Sequence, residues 1–188
     1  MIDRAIVFAA NVHKGQFRKG NRQPYIFHPL EVLNLVSLMT EDTEILCAAV
    51  LHDTVEDTDA SIEDIKREFG ERVAKIVAYE TENKRGQVNK EGTWVERKQE
   101  SLDALSKVDD IGAKMVCLGD KVSNLRSFHL LELQQGEQFW NNFNMKDPKM
   151  HYWYYNELAK HLSDLNDTAV YKEYLFLIDT IFSKYIKG

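Results

Sequence analysis

The sequence contains few residues that can cross-link the chain. Its 188 residues include only two cysteines, Cys47 and Cys117. Two cysteines cannot supply the disulfide framework of a small secreted protein. Both lie in apolar, helix-like stretches, so we interpret them as reduced, buried thiols of an intracellular protein.

Long apolar runs are also absent. No stretch approaches the roughly 18 apolar residues that a membrane helix needs, so no membrane span is predicted. The first residues, MIDRAI, lack the basic segment, apolar run and cleavage site of a secretory signal. We therefore expect a cytoplasmic protein without a membrane partner.

The chain has no excess of positive charge. Its formal net charge of -6 and pI near 5.5 argue against general nucleic-acid binding, which favours a basic surface. The 44% of hydrophobic and 29% of charged residues are ordinary for a soluble globular protein. A chain of this length can bury a core without disulfides or structural zinc, so we predict one domain over residues 1–188.

Helical periodicity runs through almost the whole sequence and predicts an all-α fold. Pro29 suits the first turn of a helix, and SIED at residues 61–64 has the form of a capping box. Residues 84–93 are polar and aperiodic, so we expect a mobile loop there. No stretch predicts a strand, a repeat or a domain linker. The predicted helices span residues 2–13, 29–39, 42–55, 61–70, 71–82, 94–107, 110–131, 149–165 and 169–186.

One short segment concentrates ionisable side chains at the end of an apolar run. The segment 52–57 holds an imidazole and three carboxylates, and it follows ILCAAVL at residues 45–51, which predicts a buried helix. Burying so many ionisable groups is costly unless something compensates. A divalent metal is the usual partner of imidazole and carboxylate together. On one continuous helix, Glu56 would share the face of His52 and Asp53.

Two further residues are candidates for the same ion. His28 stands before Pro29 at a helix start, and Asp120 lies in an apolar helix where an unpaired carboxylate is rare. Two imidazoles and two carboxylates would make a mixed site that suits manganese, iron or a similar first-row ion. Spacing alone leaves other interpretations open: a surface pair at a helix end, a capping role for His28, or pairing of Asp120 with Lys121 or Arg126.

Three blocks of sequence carry a wider pattern. The first combines HKGQFRK at residues 13–19 with PYIFHP at residues 24–29. The second is LHDTVEDTD at residues 51–59, and the third is LGDKVSNLRS at residues 118–127. Together they resemble the hydrolase domain of RelA/SpoT-type HD-domain alarmone hydrolases, over most of the first 130 residues. The resemblance implies a single helical domain of the HD phosphohydrolase fold.

The resemblance also implies a reaction and its residues. The reaction is Mn²⁺-assisted hydrolysis of the 3′-pyrophosphate of guanosine tetra- or pentaphosphate, (p)ppGpp, giving GDP or GTP and pyrophosphate. The implied metal ligands are His28, His52, Asp53 and Asp120. Glu56 and Asp57 would activate or position the attacking water, since a carboxylate near the ligands can accept its proton. A solvated acidic helix end is the alternative interpretation of that pair.

The loop before His28 concentrates positive charge in an acidic protein. Residues 13–22 contain four basic side chains and no acidic one, which suits a polyphosphate, although a solvated loop is the alternative. The resemblance implies that Arg18 and Lys19 contact the nucleotide. It implies the same of Asn124, and Ser127 stands where the family usually has another small hydroxyl residue.

An aromatic run, HYWYY at residues 151–155, could supply a wall on which a base stacks. Aromatic residues at helical spacing more often belong to a core. We assign Trp153 to the core and take Tyr152 as the candidate for the nucleotide pocket.

The sequence departs from the resembled family in two ways. Cys117 and Gly119 replace the lysine and alanine usual near Asp120, from which we expect looser packing of that helix and no loss of a ligand. The chain is also too short for the synthetase and regulatory domains of the long bifunctional enzymes. Its organisation is similar to that of free-standing small alarmone hydrolases of the metazoan SpoT-homologue type.

Three functions fit these observations, and hydrolysis of (p)ppGpp is the leading one. A related phosphohydrolase acting on adenosine alarmones, or on the 2′-phosphate of NADPH, would use the same metal core. A module that only senses alarmone has no need of a water-activating pair, and Glu56 and Asp57 argue against it. The sequence leaves open the oligomeric state and whether a cognate alarmone synthetase is neutralised.

Overall fold

The computed structural model describes residues 1–81 and 93–186, and this part of the chain is helical. Its helices are α1 (Ile2–Val12), α2 (Phe27–Ser37), α3 (Thr43–Leu51), α4 (Thr54–Asp57), α5 (Ile62–Phe69), α6 (Glu71–Glu80), α7 (Trp94–Leu105), α8 (Ile111–Gln135), α9 (Pro148–His161) and α10 (Ala169–Ile186). Short 3₁₀ segments, Gly136–Asn142 and Ser163–Leu165, follow α8 and α9. Within these two described ranges, no helix is long and apolar enough to cross a membrane.

The predicted all-α fold is confirmed, and most boundaries fall close to the predicted ones. The β pairing seen in the described ranges is a single bridge between Phe17 and Pro24. The predicted capping box forms at α5: the Ser61 hydroxyl accepts from Asp64 N at 3.2 Å, and the Asp64 carboxylate accepts from Ser61 N at 3.0 Å. The predicted mobile loop at residues 84–93 lies, apart from its last residue, outside the described residues.

The single helix predicted over residues 42–55 is wrong, because the chain forms two helices, α3 and α4, there. At the junction, His52 Nδ1 lies 2.8 Å from the carbonyl oxygen of Ala49, and Thr54 Oγ1 donates to the carbonyl of Leu51 at 2.6 Å. These side chains occupy carbonyls that would otherwise continue the helical ladder, which is how short polar groups end helices. The break places His52 and Asp53 in a turn.

The core is built around α3 and α8. Every residue from Ile45 to Leu51 is buried, since α1, α2, α6 and α8 all pack around α3. Helix α10 also packs against α8. Gly119 lets α2 approach α8 closely, because a Cβ there would lie 3.0 Å from Val36 Cγ2 and 3.3 Å from Val32 Cγ1. The glycine therefore tightens the packing beside Asp120, contrary to the looser packing expected from the sequence.

Candidate active site

Four side chains from three parts of the fold converge against α8. His28 lies in the first turn of α2, His52 and Asp53 form the turn between α3 and α4, and Asp120 lies within α8. His28 Nε2 is 3.1 Å from Asp120 Oδ1 and 3.3 Å from Asp53 Oδ2. His52 Nε2 is 3.1 Å from Asp53 Oδ2 and 3.8 Å from Asp120 Oδ1. The structure thus brings together the four residues that the resemblance implied as metal ligands.

This cluster is buried, and its atoms are spaced for an ion. His28, His52 and Asp120 are 3%, 1% and 7% exposed, and each offers one ligand atom within 4.8 Å of the others. Asp53 Oδ2 adds a fourth donor beside both imidazoles. Buried polar groups of this kind need a partner, and two imidazoles with two carboxylates suit a first-row divalent ion.

The orientation of His52 tests whether the site fits a metal. A backbone carbonyl only accepts, so the contact with Ala49 assigns the hydrogen of a neutral ring to Nδ1. Nε2 is buried, has no hydrogen-bond partner and faces the Asp53 carboxylate. Burial alone lowers the pKa of His52, but Asp53 and then Asp120 raise it to about 9. These carboxylates therefore favour a cation beside His52 Nε2, either a proton or a metal ion.

A chain of hydrogen bonds orients His28 as His52 is oriented, with Nδ1 donating a hydrogen bond and Nε2 facing the cluster. The Ser123 hydroxyl donates to Glu31 Oε2 at 2.6 Å, so it accepts from His28 Nδ1 at 2.8 Å. This leaves Nε2 of a neutral His28 as an acceptor toward the cluster. Arg126 Nη1 donates to Glu31 Oε1 at 3.0 Å, and its other nitrogens donate to Glu173 of α10 at 2.6 and 2.9 Å. We call this chain the His28 relay.

Asp120 is divided between the cluster and two neighbours on α8. Its Oδ1 faces the imidazoles and accepts from Asn124 Nδ2 at 2.6 Å, while its Oδ2 contacts the Lys121 ammonium group. Burial would raise the pKa of Asp120, but Lys121 and His28 hold it well below its ordinary range. Pairing with Lys121 and facing the cluster are therefore compatible.

The carboxylates predicted to handle water lie next to the cluster despite the helix break. Glu56 and Asp57 line the same cavity as Asp53, and the Tyr25 hydroxyl lies 2.6 Å from Asp53 Oδ2 and 3.0 Å from Asp57 Oδ2. Burial, followed by these two carboxylates, raises the pKa of Tyr25 far above its ordinary value, so the phenol stays protonated. The sequence did not single out Tyr25, because its partners lie 28 and 32 residues away and follow no helical spacing.

A cavity of about 660 Å³ opens beside the cluster, a volume typical of small-molecule sites. The predicted water-handling and nucleotide-contacting residues that line it are Arg18, Lys19, Glu56, Asp57, Asn124 and Ser127. Arg18 Nη2 donates to Asn124 Oδ1 at 2.8 Å, which joins the basic loop to α8 one turn from Asp120. The Arg18 guanidinium also lies 5.7 Å from the centre of the Tyr25 ring.

The structure does not bring Tyr152 to this cavity. Its ring packs toward Phe182 of α10, with the ring centres 6.0 Å apart, and Tyr154 and Tyr155 line the cavity instead. Successive residues of a helix point about 100° apart, so Tyr152 and Tyr154, two residues apart, point to nearly opposite sides of α9. The composition of the run gave no sign of which tyrosine faces the cavity.

Other residues line the cavity that the sequence did not assign to it. Arg97 and Lys98 of α7 add positive charge, and Lys98 Nζ lies 4.9 Å from the centre of the Tyr154 ring. Glu80, at the end of α6, lies 4.0 Å from Lys121 Nζ. Burial raises the pKa of Glu80 to about 7, although Lys121 opposes this shift. A carboxyl group with such a pKa can exchange a proton near neutral pH.

The family profile described as HD domain matches residues 5–139. Guanosine-3′,5′-bis(diphosphate) 3′-pyrophosphohydrolase of Aquifex aeolicus is 38% identical over 126 residues, covering 67% of this chain and 17% of that protein. GTP pyrophosphokinase of Myxococcus xanthus is 33% identical over 138 residues, covering 72% and 18%. The chain therefore spans less than a fifth of the length of these curated relatives.

Among the solved structures with a similar fold, two cover 98% and 83% of this chain. One is a metazoan orthologue of SpoT, described as hydrolysing ppGpp and acting in starvation responses. It has a TM-score of 0.73 at 26% identity and covers 98% of this chain and 95% of its own. The other is a protein of Listeria monocytogenes EGD-e, with a TM-score of 0.71 at 28% identity, covering 83% and 99%. These similarities extend beyond the region matched by the family profile.

Proposed function

The chain belongs to the HD domain family, and on that premise we propose that it is a metal-dependent hydrolase of (p)ppGpp. The observation that carries the proposal is one cavity lined by His28, Asp53 and Asp120 of the buried cluster together with Arg18 and the Glu56–Asp57 pair. His52 completes the cluster behind this lining, with its Nε2 3.1 Å from Asp53 Oδ2. The likeness to a metazoan ppGpp hydrolase of similar length supports it.

We propose Mn²⁺ as the ion, held by the four residues of the cluster. The mixture of two imidazoles and two carboxylates suits Mn²⁺ or another first-row ion. When bound, such an ion lowers the pKa of water and stabilises negative charge on phosphate. The neutral tautomers of His28 and His52 leave Nε2 of both rings available for it.

The reaction we propose consumes one water molecule. The water oxygen forms a bond to the inner phosphorus of the 3′-diphosphate as the bond from that phosphorus to the 3′-oxygen breaks. The 3′-oxygen gains a proton, so ppGpp and water yield GDP and pyrophosphate. Glu56 and Asp57 lie where a carboxylate can accept the proton that the water loses.

The basic side chains of the cavity would bind the phosphates. Arg18 and Lys19 line the cavity from the loop before α2, and Arg97 and Lys98 line it from α7. Guanidinium and ammonium groups neutralise phosphate oxygens, and the planar guanidinium can do so with two parallel hydrogen bonds. Asn124 holds Arg18 in place and lies one turn from Asp120.

We further propose that residues 1–188 form one hydrolase domain whose partner is a small nucleotide. The two cysteines are free and buried, which fits a reducing compartment, and we propose the cytoplasm.

The test is turnover of a panel containing ppGpp, ppApp and NADPH with added Mn²⁺, with products separated by chromatography. We expect GDP and pyrophosphate from ppGpp, and loss of turnover when the metal is chelated. Hydrolysis of ppApp or NADPH, with no hydrolysis of ppGpp, would show that the proposed substrate is wrong while the proposed metal-dependent reaction is right. Tight ppGpp binding without any product would instead identify an alarmone-sensing module.

A further inference from the structure

The Tyr25 hydroxyl stands between a member of the metal cluster and a residue predicted to handle water. It lies 2.6 Å from Asp53 Oδ2 and 3.0 Å from Asp57 Oδ2. Asp53 Oδ2 is also the oxygen that approaches the histidines, at 3.3 Å from His28 Nε2 and 3.1 Å from His52 Nε2. The phenol therefore contacts the very oxygen that is placed to ligate the ion.

The position of Asp57 depends on contacts from outside its helix. α4 has four residues, and so short a helix is not stable by itself. The Gln16 amide donates to the carbonyl oxygen of Asp57 at 2.8 Å, and the Tyr25 backbone N–H donates to the carbonyl of Gln16 at 2.9 Å. The loop before α2 thus holds the Asp57 backbone through Gln16 and its carboxylate through Tyr25.

We propose that Tyr25 is a positioning residue whose hydroxyl fixes Asp53 and Asp57 relative to each other. The consequence for metal binding follows from the contact with Asp53. The consequence for catalysis rests on the proposed function and follows from the contact with Asp57. Groups that hydrogen-bond a metal ligand typically contribute about 10–100-fold to metal affinity or activity.

The Tyr25→Phe variant tests this role by removing only the hydroxyl. It retains the ring, which packs 4.9 Å from the His13 ring and lies beneath the Arg18 guanidinium. Without nucleotide, we expect Mn²⁺ affinity, measured by calorimetry, to fall about tenfold or more. With ppGpp at saturating Mn²⁺, we expect kcat to fall about tenfold or more while KM changes less than about threefold.

Tyr171→Phe is the matched control. The Tyr171 hydroxyl is also buried and donates to the carbonyl of Ala159 at 2.8 Å, but Tyr171 does not line the cavity. This variant should keep wild-type Mn²⁺ affinity, kcat and KM, even where its melting temperature falls.

Wild-type Mn²⁺ affinity in Tyr25→Phe overturns the proposal, whatever the nucleotide assay gives. So does an equal loss of affinity in Tyr171→Phe, which would reveal a general effect of removing a buried hydroxyl. If the wild type fails to hydrolyse ppGpp, the proposed function fails while the metal measurement still decides the role of Tyr25.

Discussion

Glu56 and Asp57 are neighbours in sequence, and both line the cavity beside the cluster. The Asp57 carboxylate already meets the Tyr25 hydroxyl, and its carbonyl already accepts from Gln16. We propose that Glu56, which lines the cavity one residue earlier, accepts the proton of the attacking water. A carboxylate acting as a general base typically contributes about 10²–10⁴-fold to the rate.

Glu56→Gln tests this assignment. We expect kcat for ppGpp to fall about 100-fold or more, because an amide cannot take the proton. Mn²⁺ affinity should stay within about threefold of the wild type, since Glu56 is not among the proposed ligands. Glu63→Gln, an exposed change on α5, is the control and should leave both quantities unchanged. A near-wild-type kcat in Glu56→Gln would support the alternative interpretation, in which Glu56 belongs to a solvated acidic helix end.

Single residues differed in how far the sequence revealed them. His52 and Asp53 were conspicuous because ionisable groups there follow an apolar run. Tyr25 was not, because a tyrosine after a proline carries no signal of its own. Its role depends on the distance between its hydroxyl and two carboxylates, which only the fold sets. Glu80 was missed for the same reason, since its pKa reflects burial beside Lys121.

Among the elements, the loop before α2 connects the side chains that we propose to bind phosphate with the cluster. Arg18 reaches α8 through its 2.8 Å hydrogen bond to Asn124, and the loop is closed by the bridge between Phe17 and Pro24. Arg18 is thereby held beside the cavity, whereas Lys14, Lys19 and Arg22 of the same loop are exposed.

Arg18→Ala should weaken nucleotide binding more than metal binding. A charge-assisted hydrogen bond to phosphate is worth about 1.5–3 kcal/mol, so we expect KM to rise about tenfold or more. Mn²⁺ affinity without nucleotide should change less than about threefold. The control is Lys14→Ala, which removes an exposed charge of the same loop away from the cavity lining. Equal effects of the two variants on KM would show a diffuse electrostatic effect of the loop.

Helix α9 presents a buried histidine to an aromatic cluster. His151 is 5% exposed, contacts the rings of Trp94 and Trp140, and its Nε2 lies 2.9 Å from the carbonyl oxygen of Met145. Burial lowers the pKa of His151 to about 4, below the ordinary value of 6.5. In the unfolded chain the same ring gains its proton near pH 6.5, so acid favours unfolding.

We therefore expect the unfolding free energy of the metal-free protein to fall by about 2 kcal/mol from pH 7.5 to pH 5 because of His151. The loss is absent above the unfolded pKa and complete below the folded one. The His151→Phe variant keeps an aromatic ring but has no group that titrates at this position. Between pH 7.5 and pH 5 its unfolding free energy, measured by urea denaturation at each pH, should fall by about 2 kcal/mol less than that of the wild type. Parallel pH profiles for the two proteins would contradict the buried, neutral state of His151.

Element boundaries could be predicted where local chemistry sets them, as at the capping box of α5. The break between α3 and α4 was missed although it is also made by local hydrogen bonds, to Ala49 and Leu51, because the apolar run that ends at Leu51 favours a continuous helix. The wrong continuous helix nevertheless placed Glu56 near Asp53, since both residues of the turn keep helical backbone angles. The rotation of α9, which decides between Tyr152 and Tyr154, is set by packing against α10.

For the whole molecule, a metal held by α2, the α3–α4 turn and α8 should stabilise the fold. Mn²⁺ at about 100 times its Kd adds about 2.7 kcal/mol. For a protein of this size that corresponds to a rise in Tm of about 5–10 °C. Asp53→Ala should abolish the rise together with turnover, whereas Asp59→Ala, an exposed change nearby, should keep both. If the Tm of the wild-type protein does not change when Mn²⁺ is added, the result would argue against an ion at the cluster.

The His28 relay has a consequence for the last helix. Glu173 of α10 is joined through Arg126, Glu31 and Ser123 to the His28 imidazole, which faces the proposed metal site. Thermodynamic linkage is reciprocal. If the packing of α10 strengthens metal binding by some free energy, metal binding stabilises the packing of α10 by the same free energy. Through this relay, packing of the C-terminal helix and binding of a metal at the cluster would be coupled equilibria.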